Sequence, residues 1–200
     1  MTDSKIASDP RAARHEANKT RILREAWKLA RKDGIGALSL GALAKRVGLR
    51  QPSLYNYFAS KNDLYDEMFA QANGELWSEV AERSYPSHPN RALIEMTRAI
   101  VRFASGDPAR YELLFRRPIP EFEPSASSYA QAQRFLDWGV EMLGRAGVER
   151  ADDVDLYTAL VAGLCDQQVA NDPGGERWER LSEEMVGLFL SRAGRASTRR

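Results

Sequence analysis

Between Arg50 and Asn56 the chain packs Arg50, Gln51, Ser53, Tyr55 and Asn56 around a single proline, Pro52. Glutamine bonds adenine bidentately, arginine bonds guanine, and the carbons of Pro52 or Ser53 suit a thymine methyl. This is chemistry for reading the edges of base pairs, provided that a rigid element holds the side chains outward.

The flanking residues supply that element. Leu40, Leu43, Ala44 and Val47 recur at the spacing of one helix face. Ser39 precedes them, where its hydroxyl caps free backbone amides. Gly48 follows, and glycine accepts the left-handed backbone that ends a helix and reverses the chain. Leu49 plugs the corner between two helices. Pro52 lacks an amide hydrogen and suits a first turn, so the next helix begins close to Gln51. Leu54, Tyr57 and Phe58 form its buried side. Ser60-Lys-Asn-Asp63 is the capping pattern that opens a further helix. Any pair of core helices joined by a glycine turn has this spacing too, so spacing leaves both readings open.

Charge separates them. The first 62 residues hold 13 basic and five acidic side chains, a net +8, and include all six lysines. The remainder holds 16 basic and 23 acidic side chains, a net −7, and the two parts make the whole-chain +1. A basic module joined to an acidic one is the asymmetry expected when one end meets a polyanion. Phosphate contacts supply most non-specific affinity for nucleic acid. A membrane surface would attract the same charge, but the N-terminal helix lacks a wide apolar face rimmed by Lys and Arg, so nucleic acid is the expected partner.

Residues from about Lys19 to Phe69 resemble the DNA-binding domain of the TetR family of bacterial transcriptional regulators. The resemblance is carried by the Thr20-to-Gly34 helix with its Ile22, Ala26, Leu29 and Ala30 spine and by the Leu38-Ser39 entry. Leu43-Ala-x-x-Val47-Gly48-Leu49, Leu54-Tyr55-Asn56-Tyr57-Phe58 and Ser60-Lys61 complete it. It covers about a quarter of the chain. The resemblance implies that the helix near Gln51 is the recognition helix. Gln51, Pro52 and Ser53 would reach base edges and neighbouring phosphates, Tyr55 would pack on the sugar-phosphate backbone, and Ser39 and Lys61 would contact phosphates. Tyr57 stands where many relatives carry a phosphate-contacting histidine. Gly41 stands where some carry a base-reading side chain, so specificity rests more on the third helix. Arg50 and Asn56 complete the expected DNA-binding set.

The fold class implied is all-α. An N-terminal three-helix helix-turn-helix DNA-binding domain (17–62) is followed by a helical ligand-binding and dimerisation domain (63–192), with about nine helices in total. Residues 1–16 are expected to be a disordered arm, with Arg11 and Arg14 available to a minor groove, and residues 193–200 a flexible tail. Long helices are expected over 62–84, 90–103, 151–170 and 176–192. A short one starts at Asp107-Pro108, and another runs through Phe135 and Trp138 to Gly144 or Gly147. No run is apolar enough to span a membrane. One cysteine, Cys165, excludes an internal disulfide and fits a reducing cytoplasm.

Apolar faces recur in the last two helices through Leu156, Leu160 and Leu164, and through Trp178, Leu181, Met185 and Leu188. In the family such a pair packs against its copy to make a homodimer; the same faces also suit a monomer core. Large or soft side chains in the middle helices, Trp77, Phe103, Tyr111, Phe115, Trp138, Met142 and Cys165, suit either a core or a pocket for a small apolar or aromatic effector. The implied mechanism is that the effector shifts the helix starting at Lys61, alters the separation of two recognition helices and lowers affinity for a two-fold operator in double-stranded DNA. The alternative is a DNA-binding adaptor without an inducer, regulated by a protein partner.

Catalysis is not expected. The only histidines, His15 and His88, lie near no nucleophile motif, and with one cysteine they make no typical zinc site. Asp152, Asp153 and Asp155 read as an acidic helix start. Asp137 and Glu141 share a face but lack partners for acid–base work, and no phosphate-cradling glycine loop is present. No cofactor and no metal are expected.

Overall fold

The computed structural model describes residues 9–197 and is all-helical over them, with nine α-helices. The first is α1 (Pro10–Asp33), whose Ile22, Ala26, Trp27, Leu29 and Ala30 are buried. Residues 10–16 therefore belong to a helix and not to a disordered arm, which corrects the sequence reading; residues 1–8 lie outside the described residues. The physical reason is local. The Asp9 carboxylate accepts the Arg11 amide at 2.9 Å, and Pro10 at the first helical position sacrifices no hydrogen bond.

Helix α2 (Leu40–Arg46) is capped by Ser39, whose hydroxyl accepts the Ala42 amide at 3.4 Å. It ends as the sequence requires, with Gly48 at φ 69°. The Gly48 amide bonds the Lys45 carbonyl at 3.2 Å and the Leu49 amide bonds the Ala44 carbonyl at 2.9 Å. This is the paired-bond helix stop in which the residue after the glycine turns back onto the last turn. Helix α3 (Gln51–Leu54) is a single α-helical turn. The chain then tightens, with amides of Tyr55, Asn56 and Tyr57 bonding carbonyls three residues back. Leu54 and Phe58 are buried and hold the segment down.

Helix α4 (Lys61–Leu76) is capped by Ser60 and continues into a π-helical turn, Trp77–Ala81, so the long helix expected over 62–84 changes its pitch part-way. Helix α5 (Pro89–Gly106) begins with proline at its first position and not behind an Asn90 cap. Helix α6 (Pro108–Phe115) is capped by Asp107, α7 (Ala126–Arg145) by Ser125, and α8 spans Ala151–Asn171. The last expected helix is split into a 3-10 turn at Glu179–Leu181 and α9 (Ser182–Ser197). Helix α9 continues into the segment expected to be a tail; residues 198–200 lie outside the described residues.

Two cores result. One gathers α1 to α3 with Leu64, Tyr65, Met68, Phe69 and Ala72 of α4, and is closed by Ala109, Leu113 and Phe122. The other begins at Leu76 and takes in α5 and α7 to α9. Helix α4 is a member of both. No helix among the described residues is long and apolar enough to cross a membrane.

Candidate nucleic-acid interface and internal cavity

The α2 stop turns α3 outward. Arg50, Gln51, Pro52, Tyr55 and Asn56 are exposed, as is Ser39, while Ser53, Tyr57 and Lys61 are half-buried. Among the described residues the side chains of Arg50, Gln51, Ser53, Tyr55 and Asn56 form no hydrogen bond or ion pair. Tyr55 is 49% exposed, an unusual position for a large ring that covers no core. Gln51 leans towards α2. A Cβ placed on Gly41 would stand 3.3 Å from Gln51 Oε1 and 3.7 Å from Ser39 Oγ, so these residues form one cluster. Lys61 Nζ sits 5.2 Å from the Tyr65 ring centroid at the base of the same face.

Arg46 has a different role. It bonds Glu25 of α1 at 2.6 Å, and Lys28 bonds the same carboxylate at 2.7 Å. The Lys28 and Arg46 hydrogen bonds hold the Glu25 carboxyl down to about 2. His15 is a contributor that sequence reasoning missed. Its ring stacks on Tyr57 at 4.7 Å and its Nε2 lies 3.1 Å from the Asn56 carbonyl. A contact between residues 41 apart leaves no periodic signal; a described helix running back to Pro10 is what exposes it.

The C-terminal half contains a cavity of about 400 Å³ between α5, α6, α7 and α8. Of the residues expected at a pocket, Tyr111, Phe115, Trp138 and Cys165 line it. Phe103 and Met142 are buried in the core and do not. Trp77 lies beyond Trp138, with ring centroids 6.5 Å apart, under the Arg134 guanidinium. Sequence reasoning missed Phe135, Asp155, Tyr157 and Thr158. Asp155, Thr158, Ala162 and Cys165 repeat at helical spacing, so a carboxylate in register with a buried cysteine was the available signal. Burial pushes the Cys165 thiol up to about 12, which keeps it protonated at neutral pH. Burial also raises the Tyr157 phenol, and burial together with the bond to Asp166 raises that of Tyr111.

The cavity walls are bonded to the N-terminal helices. Asp66 of α4 accepts Ser125 N and Ser125 Oγ, each at 2.8 Å, and Ser128 Oγ at 3.0 Å, at the start of α7. Asp107, the cap of α6, accepts Arg31 of α1 at 2.6 Å and pairs with Arg110. Burial works to raise the Asp107 pKa, but the Arg31 and Arg110 partners outweigh it and hold the carboxyl below its ordinary range. Arg110 also bonds Glu75 of α4 at 2.7 Å and lies 4.6 Å over the Trp27 ring of α1.

On the outer side of α8 and α9, Leu156, Leu160, Leu164, Leu181, Met185 and Leu188 line an open groove together. Trp178 stands apart from it, half-buried, with its amide bonded to Gln168 Oε1 at 2.8 Å.

A helix-turn-helix presented by a helical body with its own cavity defines a class of protein. The sequence model described as bacterial regulatory proteins, tetR family, matches residues 22–68. The AcrR transcriptional regulator of Shigella flexneri is 31% identical over 134 residues, which cover 63% of this chain and 61% of AcrR. The chain thus spans less than two thirds of the length of the curated relatives it matches. Among solved structures, the TetR-family regulator PfmR of Thermus thermophilus is 26% identical with a TM-score of 0.65, over 85% of this chain and 94% of that one. A structure of AibR in complex with isovaleryl coenzyme A and operator DNA is 18% identical with a TM-score of 0.67, over 86% and 97% of the two chains, a likeness of fold. The chain thus carries the N-terminal domain of the tetR family of bacterial regulatory proteins at residues 22–68, and over most of its length it is similar to TetR-family regulators.

Proposed function

We propose that the protein is a ligand-responsive transcriptional regulator. It binds a two-fold operator in cytoplasmic DNA as a homodimer and leaves it when a small molecule occupies the cavity; repression is the mode this implies. The observation that carries the reading is a contrast in side-chain commitment. Arg31, Arg46, Arg98, Arg102, Arg110 and Arg116 are all ion-paired. The donors from Arg50 to Asn56 are uncommitted among the described residues, all but the half-buried Ser53 exposed, within a module of net +8. Uncommitted donors on a short outward helix suit the major groove, with Ser39, Tyr57 and Lys61 on flanking phosphates.

One such helix reads only a few base pairs, so specificity calls for a second copy. The α8–α9 groove suits that pairing, since Leu160 and Leu188 are 36% and 65% exposed. The ligand half of the reading rests on the cavity and on its ties to α1 and α4 through Asp107 and Asp66. It is supported by AibR, whose structure is of a complex with both an acyl coenzyme A and operator DNA.

Selection of bound DNA from a random pool tests the proposal with the full chain. An inverted repeat with half-site centres about 10 base pairs apart, or a multiple of that, is the expected result. A single asymmetric half-site would remove the dimer. Enrichment of no sequence at low salt would remove DNA binding.

A further inference from the structure

We infer that the cavity selects a hydrophobic monocation: a protonated amine on an apolar, aromatic-sized body, its charge held at Asp155. The inference rests on the cavity being an effector site and concerns which chemistry it accepts.

The first observation is charge. Among the described residues no Lys, Arg or His lines the cavity, and the single carboxylate in its wall is Asp155. That residue is exposed, so it stands at the mouth, and it has no ion pair or hydrogen bond among the described residues. The neighbouring Asp166 is already spent, accepting Tyr111 Oη at 2.8 Å and pairing with Arg116. Asp153, two positions earlier, pairs with Arg192.

The second observation is hydrogen-bond polarity. A hydroxyl has one proton to give and lone pairs to spare. Tyr111 gives its proton to Asp166. Thr158 Oγ1 gives its own to the Val154 carbonyl at 2.9 Å. Thr97 Oγ1 donates to the Leu93 carbonyl at 2.9 Å, so in its 2.7 Å contact with Tyr157 the tyrosine must be the donor. Each of these three lining hydroxyls, on Tyr111, Tyr157 and Thr158, therefore has its proton committed within the protein. What they can still offer a guest is acceptor oxygens. The Trp138 indole and the Cys165 thiol are the side-chain donors left in the wall, both neutral.

The third observation is the wall itself. Tyr111, Phe115, Phe135, Trp138 and Tyr157 line the cavity, and aromatic rings attract a cation and shelter an apolar body. A carboxylate or phosphate would meet an uncompensated negative charge and no basic partner, and leaving an anion unpaired against apolar surface is costly. A protonated amine finds acceptors, rings and a free carboxylate together.

Phenylbutylamine, phenylbutanol and phenylbutyrate share one apolar body and differ in the end group. Their binding to the full chain is measured by titration calorimetry and by the rise in Tm, beside the Asp155→Asn variant. The amine is expected to bind about tenfold more tightly than the alcohol, and the carboxylate most weakly. Asp155→Asn is expected to weaken the amine about fivefold, the scale of a partly solvated charge contact, and to leave the alcohol unchanged. If the alcohol or the carboxylate binds as tightly as the amine, or if Asp155→Asn leaves the amine untouched, the charge assignment is overturned while the effector reading stands. If none of the three binds or shifts Tm, the charge assignment falls together with the effector reading.

Discussion

Removing Asp66 tests the joint between the two halves of the molecule. Its carboxylate receives three hydrogen bonds from Ser125 and Ser128, so it clamps the start of α7 onto α4. Simple addition overstates the loss. Ser125 is exposed and its amide and hydroxyl regain water. Ser128 is 4% exposed, yet its hydroxyl keeps Ser125 Oγ at 3.2 Å. The remaining cost is that of one or two bonds to a charged acceptor, about 1.5–3 kcal/mol in Asp66→Ala. For a chain of this size each kcal/mol lowers Tm by about 2–4 °C, which places the fall near 3–12 °C. Thermal unfolding by circular dichroism measures it, and Asp66→Asn, which keeps an acceptor oxygen, should recover part of the loss. Operator affinity without ligand should stay within about threefold of wild type, because Asp66 belongs to none of the exposed donors of α3. The ligand-induced drop in affinity should shrink, since a coupling of about 1–3 kcal/mol needs a physical link between the sites. An unchanged Tm would refute the clamp. A lowered Tm with undiminished ligand response would leave the clamp as a stabilising contact and move the coupling elsewhere.

Three further outcomes follow from named contacts. Gln51→Ala should relax discrimination at one base pair by about 1–3 kcal/mol in competition binding; equal weakening on every sequence would place Gln51 on the phosphates. Lys61→Ala should weaken all DNA alike and flatten the slope of log affinity against log salt by about 1, whereas an unaltered slope removes it from the phosphate contacts. Glu25, held down to about 2 by Lys28 and Arg46 from an ordinary value of 4.5, contributes stability that is complete above that ordinary value and lost as pH falls towards 2. The Tm gap between wild type and Glu25→Gln should therefore close over that acid range, and a gap independent of pH would discard the ion-pair explanation.

Local rules made the candidate interface legible. Ser39, Gly48 and Pro52 each act within a turn or two, so cap, reversal and helix start can be read from residue types alone. The apolar spacing of Leu43, Ala44, Leu54 and Phe58 then decided which side chains remained outside. What escaped depends on distant partners. His15 finds Tyr57 only because α1 extends back to Pro10, and Asp66 finds Ser125 across 59 residues. Phe103 and Phe115 have the same composition signal, yet one is packed in the core and the other faces the cavity; the turn of each helix about its axis is a tertiary outcome. The pitch change at Trp77–Ala81 has no marker in helix propensity.

The sharing of α4 between two cores has a bearing on engineered hybrids. A DNA-reading module cut at Asn62 would leave behind Leu64, Tyr65, Met68, Phe69 and Ala72, the floor on which α1 to α3 rest. The transplantable unit instead ends between Ala72 and Leu76, where the first core stops and the second begins. A chimera joined there keeps the second interior and the α4 floor of the first. It must also inherit a compatible Ala109, Leu113 and Phe122, since the recipient's own α6 and following loop will close the donor's floor.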